Sequence, residues 1–392
     1  MGLNGGAALE IKETPAGLLL APADPPLTKV YIEPTTHCNL ACRTCVRHSW
    51  SDALGSMSMD TYRRVINQLE DIPTLRKIAF WGIGEPLMHP GIVDMVRLAH
   101  SIGVETEIIT NGLLITPDNA RGLVASGLDT LVVSVDGASP SAYEDVRTGA
   151  DMEAVQANIG YILQERYQAG SATPELGLEF VAMRRNLHEL PRLRQLARSL
   201  GAAFVVVTNV LPYTEELKDE ILYGLWAGSS FPQVRSAWSP EIRLPLLDAR
   251  HEVVEPLVSL LEHGGLSSLP VGREPVPAGY CRFVNEGSLA ITWNGDASPC
   301  IALMHNYTCF VIRRWKKIRH YAVGNVTTED IQDIWRKQEF VDFRRRVRAF
   351  EFSPCTDCGG CELVEGNEED CFGNPFPVCG DCLWAKGVIQ CP

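Results

Sequence analysis

Three cysteines lie within eight residues in His37-Cys38-Asn39-Leu40-Ala41-Cys42-Arg43-Thr44-Cys45. Thiolates at this CxxxCxxC spacing can hold three irons of a [4Fe-4S] cube, and the missing local fourth cysteine leaves one iron for a non-protein ligand. An open iron is a place where a substrate or cofactor can bind, whereas a cluster that only carries electrons normally takes four protein ligands. Two plainer readings compete. A structural zinc site favours CxxC pairs supplying four ligands and would have to recruit His37. Three unrelated buried cysteines are the other.

Other residues have the chemistry to hold such a ligand. In Trp81-Gly82-Ile83-Gly84-Glu85-Pro86-Leu87 the glycines allow close backbone approach, and Glu85 can accept hydrogen bonds from a cationic amine. Taken alone this stretch reads as an ordinary Gly-Pro turn, and Thr110-Asn111-Gly112 likewise as a turn. Ser134-Val135-Asp136-Gly137 is followed ten residues later by Arg147. A hydroxyl and a guanidinium are the partners a ligand carboxylate takes, with a solvated helix-end arginine as the alternative for Arg147.

Of the thirteen cysteines, three precede residue 281 and ten occupy the last 112 residues. Cys281 and Cys300 flank Ser288 to Trp293, which alternates like a strand, and Asn294-Gly295 is a strong hairpin turn that would fold Cys300 back toward its partner strand. Cys355, Cys358 and Cys361 stand at CxxCxxC spacing, followed by Cys371, the pair Cys379 and Cys382, and Cys391. Repeated CxxC spacing is a strong metal signal. Two four-thiolate [4Fe-4S] clusters would use eight of the ten; one cluster with a zinc, or two zincs, are the alternatives. Cys309, outside any CxxC pair, reads as a small buried hydrophobe. The basic run from Arg313 to His320 reads as a solvated face, or more sharply as a dock for an acidic partner or phosphorylated substrate.

These residues need a scaffold, and the chain alternates β-rich runs with amphipathic stretches. Strands are expected at 29–34, 77–81, 104–110, 130–135, 177–183 and 203–209. Helices are expected at 60–71 with Asp60 as N-cap, 91–102, 117–126, 151–169 and 188–200. Six successive β/α units imply a parallel sheet with helices outside, curled by right-handed crossovers into a full or partial barrel. Functional residues in such sheets gather at the C-terminal strand ends, where the motifs above fall. The expected organisation is a lead-in at 1–28 with one short strand or hairpin, a core at 29–210, a helical bridge at 211–280 and a cysteine-rich domain at 281–392. In the bridge, Pro256 suits the first turn of a helix over 257–261. A helix over 330–347 links hairpin to tail.

The 392 residues can bury a large core. A formal charge of −13 argues against a general nucleic-acid binder. The sequence contains no apolar run approaching a membrane span and no secretory signal, so the expectation is a cytoplasmic protein whose cysteines are metal ligands.

Together the CxxxCxxC loop, the Gly84-Glu85-Pro86 element, the Ser134-Val135-Asp136-Gly137 strand end with Arg147, and the Cys281…Gly295…Cys300 hairpin with its cysteine-rich end resemble a radical S-adenosylmethionine enzyme with a C-terminal SPASM domain. The resemblance implies a partial (β/α)6 barrel, a [4Fe-4S] cluster on Cys38, Cys42 and Cys45, S-adenosylmethionine, and two auxiliary [4Fe-4S] clusters. It places Gly84 and Glu85 against the methionine amine, Ser134 and Arg147 against the carboxylate, and Asn111 and Asp136 near the ribose or the active-site floor. It further implies reductive cleavage of S-adenosylmethionine to a 5′-deoxyadenosyl radical that abstracts hydrogen, and a low-potential electron donor of ferredoxin or flavodoxin type. Thr44 stands where the family often has an aromatic, and Cys358 and Cys361 are closer than the usual SPASM spacing, which leaves the auxiliary ligands unassigned. The ending from Asp370 to Pro392 looks most like maturases associated with tungsten-dependent oxidoreductases. A peptide or cofactor precursor is then the expected substrate. A maturase of ribosomally made peptides is the alternative, and a non-catalytic iron-sulfur carrier the alternative of another class.

Overall fold

The structure is a computed structural model that describes residues 24–224, 247–248, 250–262, 279–353, 355–356 and 361–390, with the strands at 9–14, 17–22, 234–236 and 239–243. Strands β1 (Leu9–Thr14) and β2 (Gly17–Pro22) make an antiparallel hairpin in the lead-in. Strands β3 (Lys29–Ile32), β4 (Lys77–Phe80), β5 (Glu105–Thr110), β6 (Thr130–Ser134), β7 (Glu175–Ala182) and β8 (Phe204–Asn209) then pair in parallel, in sequence order. Between them run α1 (Met59–Glu70), α2 (Ile92–Ser101), α3 (Pro117–Ala125), α4 (Pro140–Val146), α5 (Met152–Ala169) and α6 (Leu190–Ser199). The strands are apolar and almost wholly buried, as a sheet covered by helices requires: Val30, Ile32, Ile78, Phe80, Leu131, Val133, Leu178 and Val207 are solvent-free. On α1 the buried Tyr62, Val65, Ile66 and Leu69 recur at helical spacing.

The sheet grows at both edges. After β9 (Val234–Ser236), strand β10 (Ser239–Arg243) adds parallel to β8, and β9 caps it antiparallel. After α7 (His251–Glu262) and the short α8 (Arg282–Asn285), β11 (Ser288–Ile291) adds parallel to β3. Antiparallel β12 (Asp296–Ser298) and β15 (Gly324–Asn325) follow it at that edge. The result is an 11-stranded sheet whose order runs from β15 to β9, a partial barrel of eight parallel strands with antiparallel margins. Strands β13 (Tyr307–Val311) and β14 (Arg314–Ile318) form a separate hairpin, and α9 (Ile331–Arg336) and α10 (Gln338–Ala349) follow.

Several expectations need correction. The N-cap of α1 is Ser58, whose side chain accepts from Thr61 N, so Asp60 lies inside the first turn. The bridge is not purely helical: it supplies β9 and β10, and Pro256 sits inside α7 rather than at its start. The helix over 330–347 is two helices, broken where Lys337 takes extended backbone angles. At the start of the cysteine-rich region, β11 and β12 extend the barrel sheet itself. The basic run is no uniform solvated face either. Lys316 is buried with Nζ 2.6 and 2.8 Å from the two Asp381 carboxylate oxygens, and Arg314 reaches the same carboxylate at 3.3 Å.

Candidate active site

Cys38, Cys42 and Cys45 lie on the loop that leaves β3, all part-buried, beside a cavity of about 270 Å³ at the C-terminal strand ends. The loop is pinned from three sides. Ala41 and Arg43 donate their backbone N–H groups to the carbonyls of Thr148 and Val146 just beyond α4 and at its end. The Arg43 side chain bonds Asp145 and Glu216, and Glu85 N donates to the His37 carbonyl at 2.8 Å. A Cβ on Gly84 would sit 2.2 Å from the Thr35 carbonyl oxygen, so the glycine is needed for the Gly82–Glu85 turn to lie against the cysteine loop. Burial pushes the Cys38 thiol up, and the Cys42 thiol up to about 11, so binding of iron here would release thiol protons. Arg47 donates to Cys45 Sγ at 3.4 Å and to the Leu40 carbonyl.

Gly84, Glu85, Asn111, Ser134 and Arg147 all line the cavity with the three cysteines. Glu85 is buried, and both its oxygens are engaged: Oε1 accepts from Thr110 Oγ1 (2.6 Å) and Leu87 N (3.0 Å), Oε2 from Asn111 N (2.7 Å). Burial raises its pKa, opposed by these bonds. Asn111 turns toward the cysteine loop, donating to Asn39 Oδ1 at 2.8 Å with Cys38 Sγ at 4.0 Å. Asp136 is solvent-free and lies outside the cavity lining, under Arg147, whose Nε is 2.9 Å from its Oδ2. It also accepts from Val181 N at 2.9 Å. Geometry therefore places Asp136 behind the floor, where it orients the guanidinium.

Several lining residues escape the motif reading. Glu179, on β7, accepts from Ser134 Oγ at 3.3 Å. Burial first, and Asp136 second, push its carboxyl up to about 7. Its only sequence signal is an acidic residue inside an apolar strand. Trp384, Ile389 and Gln390 close the cavity from the C-terminal tail, which is tied to β8 by Gln390 N to Thr208 Oγ1 (2.8 Å) and Asn209 Nδ2 to the Val388 carbonyl (2.9 Å).

A second thiol group lies in the C-terminal region. Cys281, Cys300, Cys379 and Cys382 are close enough to perturb one another's ionisation, and burial raises all four, Cys281 to about 12. Cys355 and Cys371 share Ser353, whose Oγ is 3.4 and 3.0 Å from their sulfurs, while Cys361 is exposed. Cys358 and Cys391 lie outside the described residues. Cys309 is buried in an apolar cluster on β13, and it also lies near enough to Lys316, Asp381 and Cys382 to feel their charges. Among the described residues no three His, Cys, Asp or Glu side chains converge on a single-ion position. A cube, with one iron per thiolate, does not require that convergence.

This barrel and thiol loop define a class, and comparison with known proteins agrees. Residues 32–173 match the radical SAM superfamily model, and residues 281–362 match the SPASM iron-sulfur cluster-binding domain. The chain belongs to the radical SAM superfamily, carries a SPASM domain, and is an enzyme that uses S-adenosylmethionine and [4Fe-4S] clusters. Over 367 residues it is 32% identical to the tungsten-containing aldehyde ferredoxin oxidoreductase cofactor-modifying protein of Pyrococcus furiosus, covering 93% of this chain and 96% of that one. It is also 32% identical over 346 residues to the mycofactocin maturase MftC of Mycobacterium tuberculosis, covering 85% and 76%. In fold it is similar to Streptococcus suis SuiB bound to S-adenosylmethionine, with a TM-score of 0.55 at 16% identity over 90% of this chain and 74% of that one. No helix among the described residues is long and apolar enough to cross a membrane.

Proposed function

We propose that this enzyme modifies a cofactor or peptide precursor during maturation of a tungsten-containing oxidoreductase. The observation that carries the reading is the match to the Pyrococcus furiosus cofactor-modifying protein, which runs through barrel, bridge and tail alike. When bound, the cluster and S-adenosylmethionine supply a 5′-deoxyadenosyl radical able to take hydrogen from an unreactive carbon. Cys38, Cys42 and Cys45 would hold that cluster, Glu85 would face the amine, and Ser134 and Arg147 would bind the carboxylate, with Asp136 fixing the guanidinium and Asn111 bracing the cysteine loop. The tail residues Trp384, Ile389 and Gln390 exclude water from the cavity. Cys281, Cys300, Cys379 and Cys382 form one auxiliary cluster site. Cys355, Cys371 and Cys361 with Cys358 or Cys391 provide the other. A ferredoxin- or flavodoxin-type donor would supply the electron.

The 32% identity to the mycofactocin maturase supports the second reading, maturation of a ribosomally made peptide. Two experiments decide. Anaerobically reconstituted, reduced protein should form 5′-deoxyadenosine, and a Cys38→Ala, Cys42→Ala, Cys45→Ala triple variant should form none above background; equal yields from both would end the enzymatic reading of this loop. Deleting the gene in its host should abolish tungsten oxidoreductase activity while leaving the oxidoreductase protein present. Unchanged activity would favour the peptide reading.

A further inference from the structure

The carboxylate end of the proposed cofactor site is oversupplied with negative charge. Arg147 is the guanidinium there, and Asp136 already occupies it at 2.9 Å from below. On the cavity side Ser134 Oγ, the hydroxyl assigned to the cofactor carboxylate, is instead 3.3 Å from Glu179 Oε2. A carboxylate arriving between Ser134 and Arg147 therefore meets a second carboxylate within hydrogen-bonding reach, beside a guanidinium that Asp136 already shares. Carboxylates crowded in this way in a partly dehydrated site hold a proton between them.

Resting on the reading that Ser134 and Arg147 hold the methionine carboxylate, we propose that Glu179 is a third binding partner, which takes up a proton as the cofactor binds and donates it in a hydrogen bond to that carboxylate. The surroundings favour uptake at Glu179 over its neighbours. Asp136 is solvent-free, and its oxygens are already taken by the Arg147 ion pair and the bond from Val181 N, which leaves Glu179 as the carboxylate that faces the arriving group. Glu107 on β5 is the other carboxylate that acts on Glu179, and it is held by Lys77 at 2.6 Å and Lys29 at 3.8 Å. On the far side β8 presents Val206 opposite Glu179, with no charge to stabilise an anion. Glu179 in the free protein already stands near 7, pushed there by burial and by Asp136 against the pull of Arg147 and Ser134, so one more negative neighbour suffices to protonate it at neutral pH.

The test measures protons rather than turnover. Reconstituted full-length protein, wild type beside Glu179→Gln, is titrated calorimetrically with S-adenosylmethionine and separately with S-adenosylhomocysteine, in buffers of different ionisation enthalpy. Subtracting the variant cancels protons exchanged by the nucleoside's own amine. Wild type should take up about half a proton more than the variant at pH 7 and about nine-tenths at pH 8. Its affinity should weaken about tenfold per pH unit above 7 relative to the variant. Cofactor-induced infrared difference spectra of wild type should gain a protonated-carboxyl C=O band, and this measurement decides the matter if the variant does not fold. Equal proton counts, or no such band, overturn the proposal and leave the cofactor site standing. Binding unaffected by Ser134→Ala and Arg147→Lys overturns the site reading beneath it.

Discussion

Glu179 carries a cost that depends on pH even before any cofactor binds. Its folded-state carboxyl sits near 7, above its ordinary value, so the stability it confers is present at acid pH and is lost as pH rises through that value. Glu179→Gln keeps the shape and removes the ionisation. Denaturant unfolding should show the variant more stable than wild type by about 1–3 kcal/mol at pH 8 and nearly equal to it at pH 5. A constant difference across that range would mean that the carboxyl does not titrate there. The sequence shows an acid in Glu175–Ala182 but not which way it points, because strand alternation identifies faces and not what stands opposite them.

His305 belongs to the same scale. Its Nε2 is 3.0 Å from both oxygens of Glu33, at the end of β3, and its Nδ1 is 3.3 Å from Asp52 on the segment after the cysteine loop. Two acceptors facing two ring nitrogens call for an imidazolium. Burial, the largest influence, pulls its pKa down, but Glu33 and Asp52 more than offset it and the net is a rise. The stabilisation is thus complete at acid pH and disappears as pH climbs through the raised value. His305→Leu, which strands the solvent-free Glu33, should cost about 3–5 kcal/mol in unfolding measurements near pH 6. The deficit should shrink toward alkaline pH, where wild type has lost the proton too.

Among the elements, the Gly82–Glu85 turn and the cysteine loop form one unit. Glu33 Oε1 accepts from Ile83 N at 3.2 Å, Glu85 N bonds the His37 carbonyl, and Gly84 fits beneath Thr35 without room for a methyl group. Gly84→Ala must push the turn away from backbone atoms that cannot yield. We expect at least tenfold weaker S-adenosylmethionine binding, read from the cofactor-induced change in the reduced cluster's EPR spectrum, with iron content retained. The glycine is visible in the sequence as a turn residue. That its missing side chain faces the cysteine loop is a tertiary fact.

For the molecule as a whole, the barrel sheet does not stop where the cysteines begin. With β11 paired to β3, the hairpin carrying Cys300 is an outer strand pair of the same sheet. The tail returns Cys379 and Cys382 to it and then runs on to β8. The sulfur partition predicts that Cys281→Ala and Cys379→Ala remove the same auxiliary cluster. Cys371→Ala should remove the other, each losing about four irons per chain in anaerobic iron analysis. Different EPR signals missing from Cys281→Ala and Cys379→Ala would break the assignment.

What the sequence determined by itself was local. Three thiols within one loop, the alternation of β-branched runs with amphipathic helices, and the turn at Asn294-Gly295 each depend on residues a few positions apart, and each stands in the structure where spacing put it. The folded chain alone decided which distant cysteines share a site, that Glu179 meets Ser134, that His305 joins Glu33 to Asp52, and that Lys316 is buried on Asp381. Apart from the cysteines, these pairs are separated by 45 to 272 residues. Their contacts follow from strand order and from which buried charges need partners, and neither leaves a periodic trace along the chain.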